Sequence, residues 1–532
     1  DLVQGREGLG IVAGGAGEAV GRLGAHDARG DHVLAGERDR AAHFQELGQA
    51  RGRVAFSAAR RHHPGIIPVA ERHARAIEVA DVIAGGEIVY TGGFGLRDRE
   101  RGLPVDADTV FAIGSCSKAF TSFSVGLLVD DGKTTWDTPI RDVIPEFRLY
   151  DPIATELSTF RDLLSHRTGL PRHDAMWYGS EASRAEMVAR LRHLKPSATF
   201  RERFQYQNLM FMTVGYAVEK LTNMTWEDFT QTRIFDPLGM QRSQFSVHHS
   251  EQDANAARPY AYRDGGFVPV PFRNLDALAP AGAINSNIDD MLRWLRLNMY
   301  GNPELIKEAT RRELYAPHTV IPDSPAFPWY GSSEITHTSY ALGWAASAYR
   351  GTTMIRHNGG IDGFNSSLAF LPHEDIGVIV LCNTQEREPA GVIMFGIIDR
   401  LLGLDPIPWW DRFETVAAKG RAELDEIKHK LNDERHAVGP SHPLADYAGT
   451  YQHPGYGSMV ITLDGDRLCA VYGGLTLRLT PHHYDLFLVE VDNEELFFVS
   501  SFFNNEWGKV TRFSCQLEPA LPATEFERVA DA

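Results

Sequence analysis

The 532-residue chain has little cysteine, no long apolar run and no basic cluster, and each shortage closes off a class of protein. Its four cysteines, Cys116, Cys382, Cys469 and Cys515, stand far apart with no C-x-x-C pair. They make no disulfide framework, and each reads as a small buried hydrophobe. Cys116 adjoins a candidate site, and a place near a helix N-terminus would make its thiol modestly reactive. The apolar run "IGVIVLC", Ile376 to Cys382, is strand length and far short of the roughly 20 residues of a membrane span. A formal charge of −17 argues against a nucleic-acid surface, which needs clustered Lys and Arg. Neither G-x-S-x-G nor H-E-x-x-H occurs, so α/β-hydrolase and zinc-protease readings have little support. No metal or cofactor is expected.

Residues 1 to 80 carry an odd set of absences of their own: no Lys, Asn, Thr, Tyr, Trp, Met or Cys, and one serine, Ser57. Ala, Gly and Arg dominate there, and His is abundant. A flexible extension, a decayed region and a segment read in a shifted frame of a G+C-rich gene all fit, and residues 1 to 76 are expected to be poorly ordered. "GLGIVAG", Gly8 to Gly14, has the wrong spacing for a dinucleotide fingerprint. The local histidines, including His62, His63 and His73, lack metal-site company. No signal-peptide apolar region is visible at the start, which favours a cytoplasmic location.

What is present is ordinary globular material: 43% hydrophobic, 23% charged and 10% aromatic residues, enough for a large core in several domains. "IEVADVI" and "EIVYTGG", separated by Ala84-Gly85-Gly86, predict a β-hairpin, although Glu78 and Asp81 interrupt its first strand. Helical periodicity follows at Cys116–Val129, with Ala119, Phe120, Phe123, Leu127 and Leu128 on one face. It recurs at Met187–Leu194, Phe211–Leu221 and Ile288–Asn298, the last with Asp289-Asp290 read as a solvated helix start. "SLAFLP" and "GVIVLCN" then predict a second hairpin of buried strands. Strands from both ends thus bracket a helical middle, the pattern of an α+β domain whose antiparallel sheet joins early and late strands. Residues 404 to 442 read as a linker with a charged helix around Val416–Glu434. Beyond residue 443, short alternating runs from "MVITL" to "TEFERV", with turn dipeptides such as Asp464-Gly465 and Gly473-Gly474, predict about eight strands in a small antiparallel barrel.

The chemistry concentrates in "FAIGSCSKAF", Phe111 to Phe120. Ser115 precedes a helical run, where free backbone N–H groups favour developing negative charge. Lys118 stands one turn further on the same face, giving S-x-x-K. An alcohol needs a base to become a nucleophile, and a lysine serves only when its amine is neutral. That requires its pKa to fall from about 10.4 by roughly three units, about 4 kcal/mol, which burial supplies. Ser117 competes, but three residues after it comes Phe120. The alternative job for Ser115 is an ordinary helix cap. Two later pieces add to the motif: Tyr206-x-Asn208, and His357-Asn358-Gly359-Gly360 at the start of the closing strands.

With these pieces in this order, and with "LLSHRTGLP" at Leu163 to Pro171, the chain from about residue 77 to 403 resembles the β-lactamase-like serine hydrolases. That group includes class C β-lactamases, penicillin-recognising carboxypeptidases, D-stereospecific aminopeptidases and related esterases. Residues 443 to 532 resemble the lipocalin-like barrel of some members. The resemblance implies a β-lactamase/transpeptidase-like antiparallel sheet flanked by helices, an all-helical lobe and a C-terminal barrel. It implies that Ser115 is acylated, and that Lys118 and Tyr206 share general-base and general-acid work, the phenol being held near or in its anionic form by the ammonium. Asn208 would bind the lysine and the substrate amide, while Gly359 and Gly360 let a strand edge approach and Gly360 and Ser115 donate N–H groups to an oxyanion. His357 and Asn358 depart from the lysine and threonine of the β-lactamases and classical carboxypeptidases, so the fixed grip on a substrate carboxylate is missing. The implied activity is hydrolysis of small amides, peptides (including those with D-residues) or esters. β-Lactamase or DD-carboxypeptidase activity and a non-catalytic receptor of the same fold stay open, as does the oligomeric state.

Overall fold

The computed structural model describes residues 78–263, 266–322, 332–384, 388–433, 435–491 and 497–529. The N-terminal extension, its "GLGIVAG" run and the histidines at 62, 63 and 73 lie outside the described residues.

The hairpin at the start forms as its sequence directs. Strand Glu78–Ala84 turns through Gly85 and Gly86, both at positive φ, into Glu87–Phe94. Two consecutive left-handed residues are what a tight hairpin turn demands. Strand Glu78–Ala84 also pairs antiparallel with Ile376–Cys382, from Glu78 opposite Cys382 to Ala84 opposite Ile376. The first strand of the described chain therefore sits next to the last strand of the sheet. The order continues through Phe364–Leu371, Thr352–Ile361, Ala345–Tyr349 and Ile335–Tyr340 to a short edge at Thr319–Val320, an eight-stranded antiparallel sheet.

One face of this sheet packs on helix Pro389–Leu401, whose buried side is continuous with Val82, Val378, Val380 and Ala369. The other face carries the main core and the helical middle of the chain. Helix Ser117–Asp130 runs through that core, with every residue from Ser117 to Leu128 buried. The one-sided apolar face read from its sequence is thus a helix enclosed all round. Its small and hydroxyl residues allow this because their polar atoms find backbone acceptors: Thr121 Oγ1 donates to Pro280 O at 2.6 Å and Ser124 Oγ to Phe120 O at 2.9 Å. Phe120 stacks on Trp294 of helix Ile288–Tyr300 at 3.8 Å between ring centres. At the start of that helix Asp289 is exposed, but Asp290 is not solvated as its sequence suggested. It is buried and accepts from Arg242 N at 2.7 Å and Ser243 Oγ at 2.9 Å, clasping the preceding loop.

Helix Trp409–Asp433 leads out of this region, burying a single stripe of Trp409, Phe413, Gly420 and Leu424. The chain then closes a barrel of eight sequential strands, from Gly449–His453 to Thr524–Arg528, joined where Gln452 faces Glu527. Alternating inward residues fill it with aromatics: Tyr451, Phe487, Phe502, Phe513 and Phe526 are fully or nearly fully buried. Its first strand, Gly449–His453, is the least legible in sequence, since five residues with one inward aromatic give too short an alternation. No helix among the described residues is long and apolar enough to cross a membrane.

Candidate active site

The central helix is entered through a turn that favours glycine. Gly114 has φ +51°, and a Cβ on it would come within 2.8 Å of Gly360 N. The turn Gly114–Cys116 then runs straight into the helix at Ser117 and separates the two competing serines. Ser117 is fully buried; its hydroxyl donates to Gly114 O at 2.8 Å and accepts from Ile284 N at 3.1 Å, so it is committed to holding the turn. Ser115 is the one position between Phe111 and Leu128 that is not buried.

Lys118 is 0% exposed, and its Nζ lies 3.0 Å from Ser115 Oγ, 2.7 Å from Asn208 Oδ1 and 2.8 Å from Ala281 O. The last two atoms are carbonyl oxygens that only accept. A neutral amine has two N–H bonds and one lone pair, so with both N–H groups given to these carbonyls the lone pair is left facing Ser115 Oγ. Burial drives the lysine well below its ordinary pKa, and the neighbouring Arg172 guanidinium pushes it the same way.

Tyr206 hydrogen bonds with the Ser115 hydroxyl, and its ring faces Lys118 Nζ at 4.8 Å. Burial raises its phenol above the usual range, outweighing the Ser115 contact and Arg172. The charge pattern is therefore the reverse of an ammonium holding a phenolate. Burial disfavours both charged forms, the Lys118 ammonium and the Tyr206 phenolate alike. Cys116 is the small buried hydrophobe its sequence reading favoured, not a reactive thiol. Although it adjoins the helix N-terminus, it is buried against His357 O and Ser366 Oγ, and burial takes its thiol up to about 12, which makes it unreactive.

The four residues of the His357–Gly360 motif divide between two faces of strand Thr352–Ile361. His357 is on the cleft side, 6.5 Å from Tyr206 between ring centres. Its Nδ1–H donates to Asn358 O at 2.6 Å, so Nε2 accepts from Tyr340 Oη at 2.8 Å. Burial, reinforced by Lys118, holds it down to about 3, a neutral imidazole. Asn358 is not brought into the cleft by its side chain. Its Oδ1 faces the other way, accepting from Ser367 Oγ at 3.3 Å and Arg356 Nη1 at 3.4 Å, with Glu388 also bonded to it. Period-2 alternation puts Gly359 back on the helix side, where a Cβ would fall 1.9 Å from Ile113 O. At Gly360 a Cβ would meet nothing within 4 Å, so this backbone opens onto free space. Pairing with strand Ala345–Tyr349 reaches only Arg356, leaving the edge from His357 to Ile361 without that neighbour.

Several neighbours of these residues escaped the sequence reading. Ala281 contributes a backbone carbonyl, which no side-chain pattern signals. Asp174 Oδ1 accepts from Asn208 Nδ2 at 3.2 Å, and Arg172 Nε donates to Asp174 Oδ2 at 2.5 Å. His166, inside "LLSHRTGLP", is fully buried at φ +58°, packs its ring 4.4 Å from Tyr206 and 4.5 Å from Tyr340, and accepts from Gln207 N at 2.9 Å. Only His166 lay within the recurrent segment Leu163 to Pro171, which was legible as a motif but not as contacts; Arg172 and Asp174 follow it directly and carried no signal.

Comparison with known proteins places the family and the fold. The Beta-lactamase family matches residues 49–400, beginning upstream of residue 77, and a domain of unknown function (DUF3471) matches residues 434–528. Unguisins hydrolase ungD' of Aspergillus campestris is 31% identical over 407 residues, covering 72% of this chain and 74% of its own. The octameric penicillin-binding protein homologue from Pyrococcus abyssi superposes with a TM-score of 0.58 at 21% identity, over 87% of this chain and 98% of that one. A class C beta lactamase from Rhodobacter sphaeroides does so at 0.52 and 22% identity, over 64% of this chain and 98% of its own. These two structures share the fold.

Proposed function

Because this chain belongs to the beta-lactamase family, we propose that it is a serine hydrolase that forms an acyl-enzyme at Ser115 and acts on small amides, peptides, including those with D-residues, or esters. The observation that carries this reading is the place of Lys118 Nζ, 3.0 Å from Ser115 Oγ and held by two carbonyl acceptors at 2.7 and 2.8 Å, so that a neutral amine turns its lone pair on the serine. Ser115 Oγ attacks the substrate carbonyl carbon as its proton passes to Lys118 Nζ. The negative charge that develops on the carbonyl oxygen is received by the backbone N–H groups of Ser115 and Gly360, each such donor being worth about 3 to 4 kcal/mol. Tyr206 gives its phenolic proton to the leaving group and recovers one from the Lys118 ammonium, which leaves the lysine neutral for the attack of water on the acyl-enzyme. Asn208, fixed to Lys118 and Asp174, keeps its second amide N–H for the substrate.

The relative named as an unguisins hydrolase supports a hydrolytic reading. The neutral, hydrogen-bonded His357 weighs against β-lactamase and DD-carboxypeptidase activity, because this position offers no fixed cation for a substrate carboxylate. The test is covalent labelling. A fluorophosphonate should add one label, at Ser115, and Ser115→Ala should take none. Binding of peptides without turnover of nitrophenyl esters or label at Ser115 would instead indicate a receptor.

A further inference from the structure

The contacts around Ser115 close into a ring. Ser115 Oγ meets Lys118 Nζ at 3.0 Å, Lys118 meets Asn208 at 2.7 Å, and Asn208 Nδ2 donates to Asp174 at 3.2 Å. Arg172 Nε donates to Asp174 at 2.5 Å, the Arg172 guanidinium lies 5.1 Å from the centre of the Tyr206 ring, and Tyr206 returns to Ser115. Two members of this ring, Arg172 and Asp174, have no step in the acyl transfer proposed above.

The residue between them is fastened to the C-terminal barrel. His173 is 1% exposed at φ +47°. Its N–H donates to Glu518 Oε2 at 2.7 Å; its Nε2–H donates to Lys195 O at 2.9 Å, so its Nδ1 accepts from Tyr456 Oη at 2.6 Å. Glu518 and Tyr456 both belong to the barrel region. A few residues on, Tyr472 Oη donates to Ala175 O at 2.9 Å, and the backbones of Gly179 and Gly473 touch so closely that a Cβ on Gly179 would fall 1.5 Å from Gly473 O. A left-handed residue pinned at its amide and at both ring nitrogens fixes where its two neighbours point.

We infer that Arg172 and Asp174 are positioning residues for Lys118 and Tyr206, and that the barrel is part of the catalytic apparatus because it fixes the segment that carries them. This rests on the proposed reading of Ser115 as nucleophile and Lys118 as base. The groups that face Lys118 from the surrounding elements are Arg172 and Asp174, Tyr206, Cys116, His357 and His166. Burial keeps the last four neutral, so the charges that bias the lysine come from the pair. A cation there disfavours the Lys118 ammonium and an anion favours it.

The experiment measures the rate of Ser115 labelling by a fluorophosphonate against pH in the full-length chain. Arg172→Gln should move the acid limb to higher pH and Asp174→Asn should move it to lower pH, each by about one unit, while Arg172→Lys keeps the wild-type limb. Glu518→Ala should slow labelling about tenfold with the melting temperature of the catalytic region retained. A merely structural role would lower rates without shifting the two limbs in opposite directions. Limbs that coincide with wild type, or Glu518→Ala and Tyr456→Phe labelling at the wild-type rate, would overturn the inference while leaving the nucleophile in place. A wild-type chain that takes no label at Ser115 would show that the reading beneath it had failed.

Discussion

Two fully buried ionisable side chains stand on either side of the same core. Lys118 is in the central helix and Asp81 in the first strand of the described sheet, both 0% exposed. Burial drives each toward its neutral form: the lysine falls well below its usual range, and the aspartic acid rises to about 7, with the like charge of Asp289 adding to the effect. Their surroundings differ. Lys118 has two carbonyl acceptors and a hydroxyl within 3.0 Å. Asp81 is set opposite Thr91 and Ile379 in the interior of a hairpin, where a side-chain hydrogen bond with Thr91 only partly opposes the effect of burial. Burying an ionisable group is therefore not in itself a functional sign. The convergence of obligate acceptors, which leave one lone pair aimed at a nucleophile, separates a tuned base from a strand residue that only costs stability.

The comparison breaks first at the lysine. Lys118→Met keeps the volume and removes the lone pair, and kcat/KM on nitrophenyl esters should fall about 10³-fold with the fold intact by circular dichroism. A loss under tenfold would put Lys118 on the same footing as Asp81. At Asp81 the sign follows from linkage. The folded state holds its proton up to about pH 7, whereas the unfolded chain releases it near 3.8. Between these values the folded state binds more protons, so stability falls as pH rises from about 4 to about 7 and is level above. Asp81→Asn should remove that slope and stabilise the protein at pH 8 by up to about 4 kcal/mol, measured by urea unfolding. A variant less stable than wild type at pH 8 would show that the Thr91 hydrogen bond outweighs the cost of burying the carboxylate.

A smaller effect is expected where strand Thr352–Ile361 meets the serine turn. Gly359→Ala places a methyl 1.9 Å from Ile113 O, and something must move. Stability should drop by about 2 kcal/mol, with activity falling further than stability because the displaced backbone carries Ser115 and Gly360. Equal activity in Gly359→Ala would disconnect this contact from the site. Smallest of all is Cys116. With its thiol taken up to about 12, iodoacetamide at pH 8 should leave it unmodified in the folded protein. Rapid alkylation would mean that the turn opens in solution.

Much of this was legible in the residues. The two hairpins, the central helix and the alternating barrel strands follow from apolar periodicity and from glycine pairs such as Gly85-Gly86 and Gly473-Gly474. The placement of Ser115, Lys118, Tyr206, Asn208 and His357 around one cleft follows from the resemblance their motifs carry. What stayed hidden depends on three-dimensional proximity. The Ala281 carbonyl has no side-chain signature, and the face occupied by Asn358 depends on where the strand meets the turn. His173 reads as one more loop histidine until residues 283 and 345 positions later fold back onto it. The direction of the Lys118 shift was legible as a requirement of the chemistry, whereas the raised phenol of Tyr206 was not, since burial depends on what packs above it.

The most direct measurement is the pH dependence of Ser115 inactivation by a fluorophosphonate in the wild-type chain. An uncharged Lys118 predicts a rate that has reached its plateau by neutral pH, because the amine has already lost its proton. A rate that climbs without a plateau toward pH 10, following an ordinary lysine, would contradict the account.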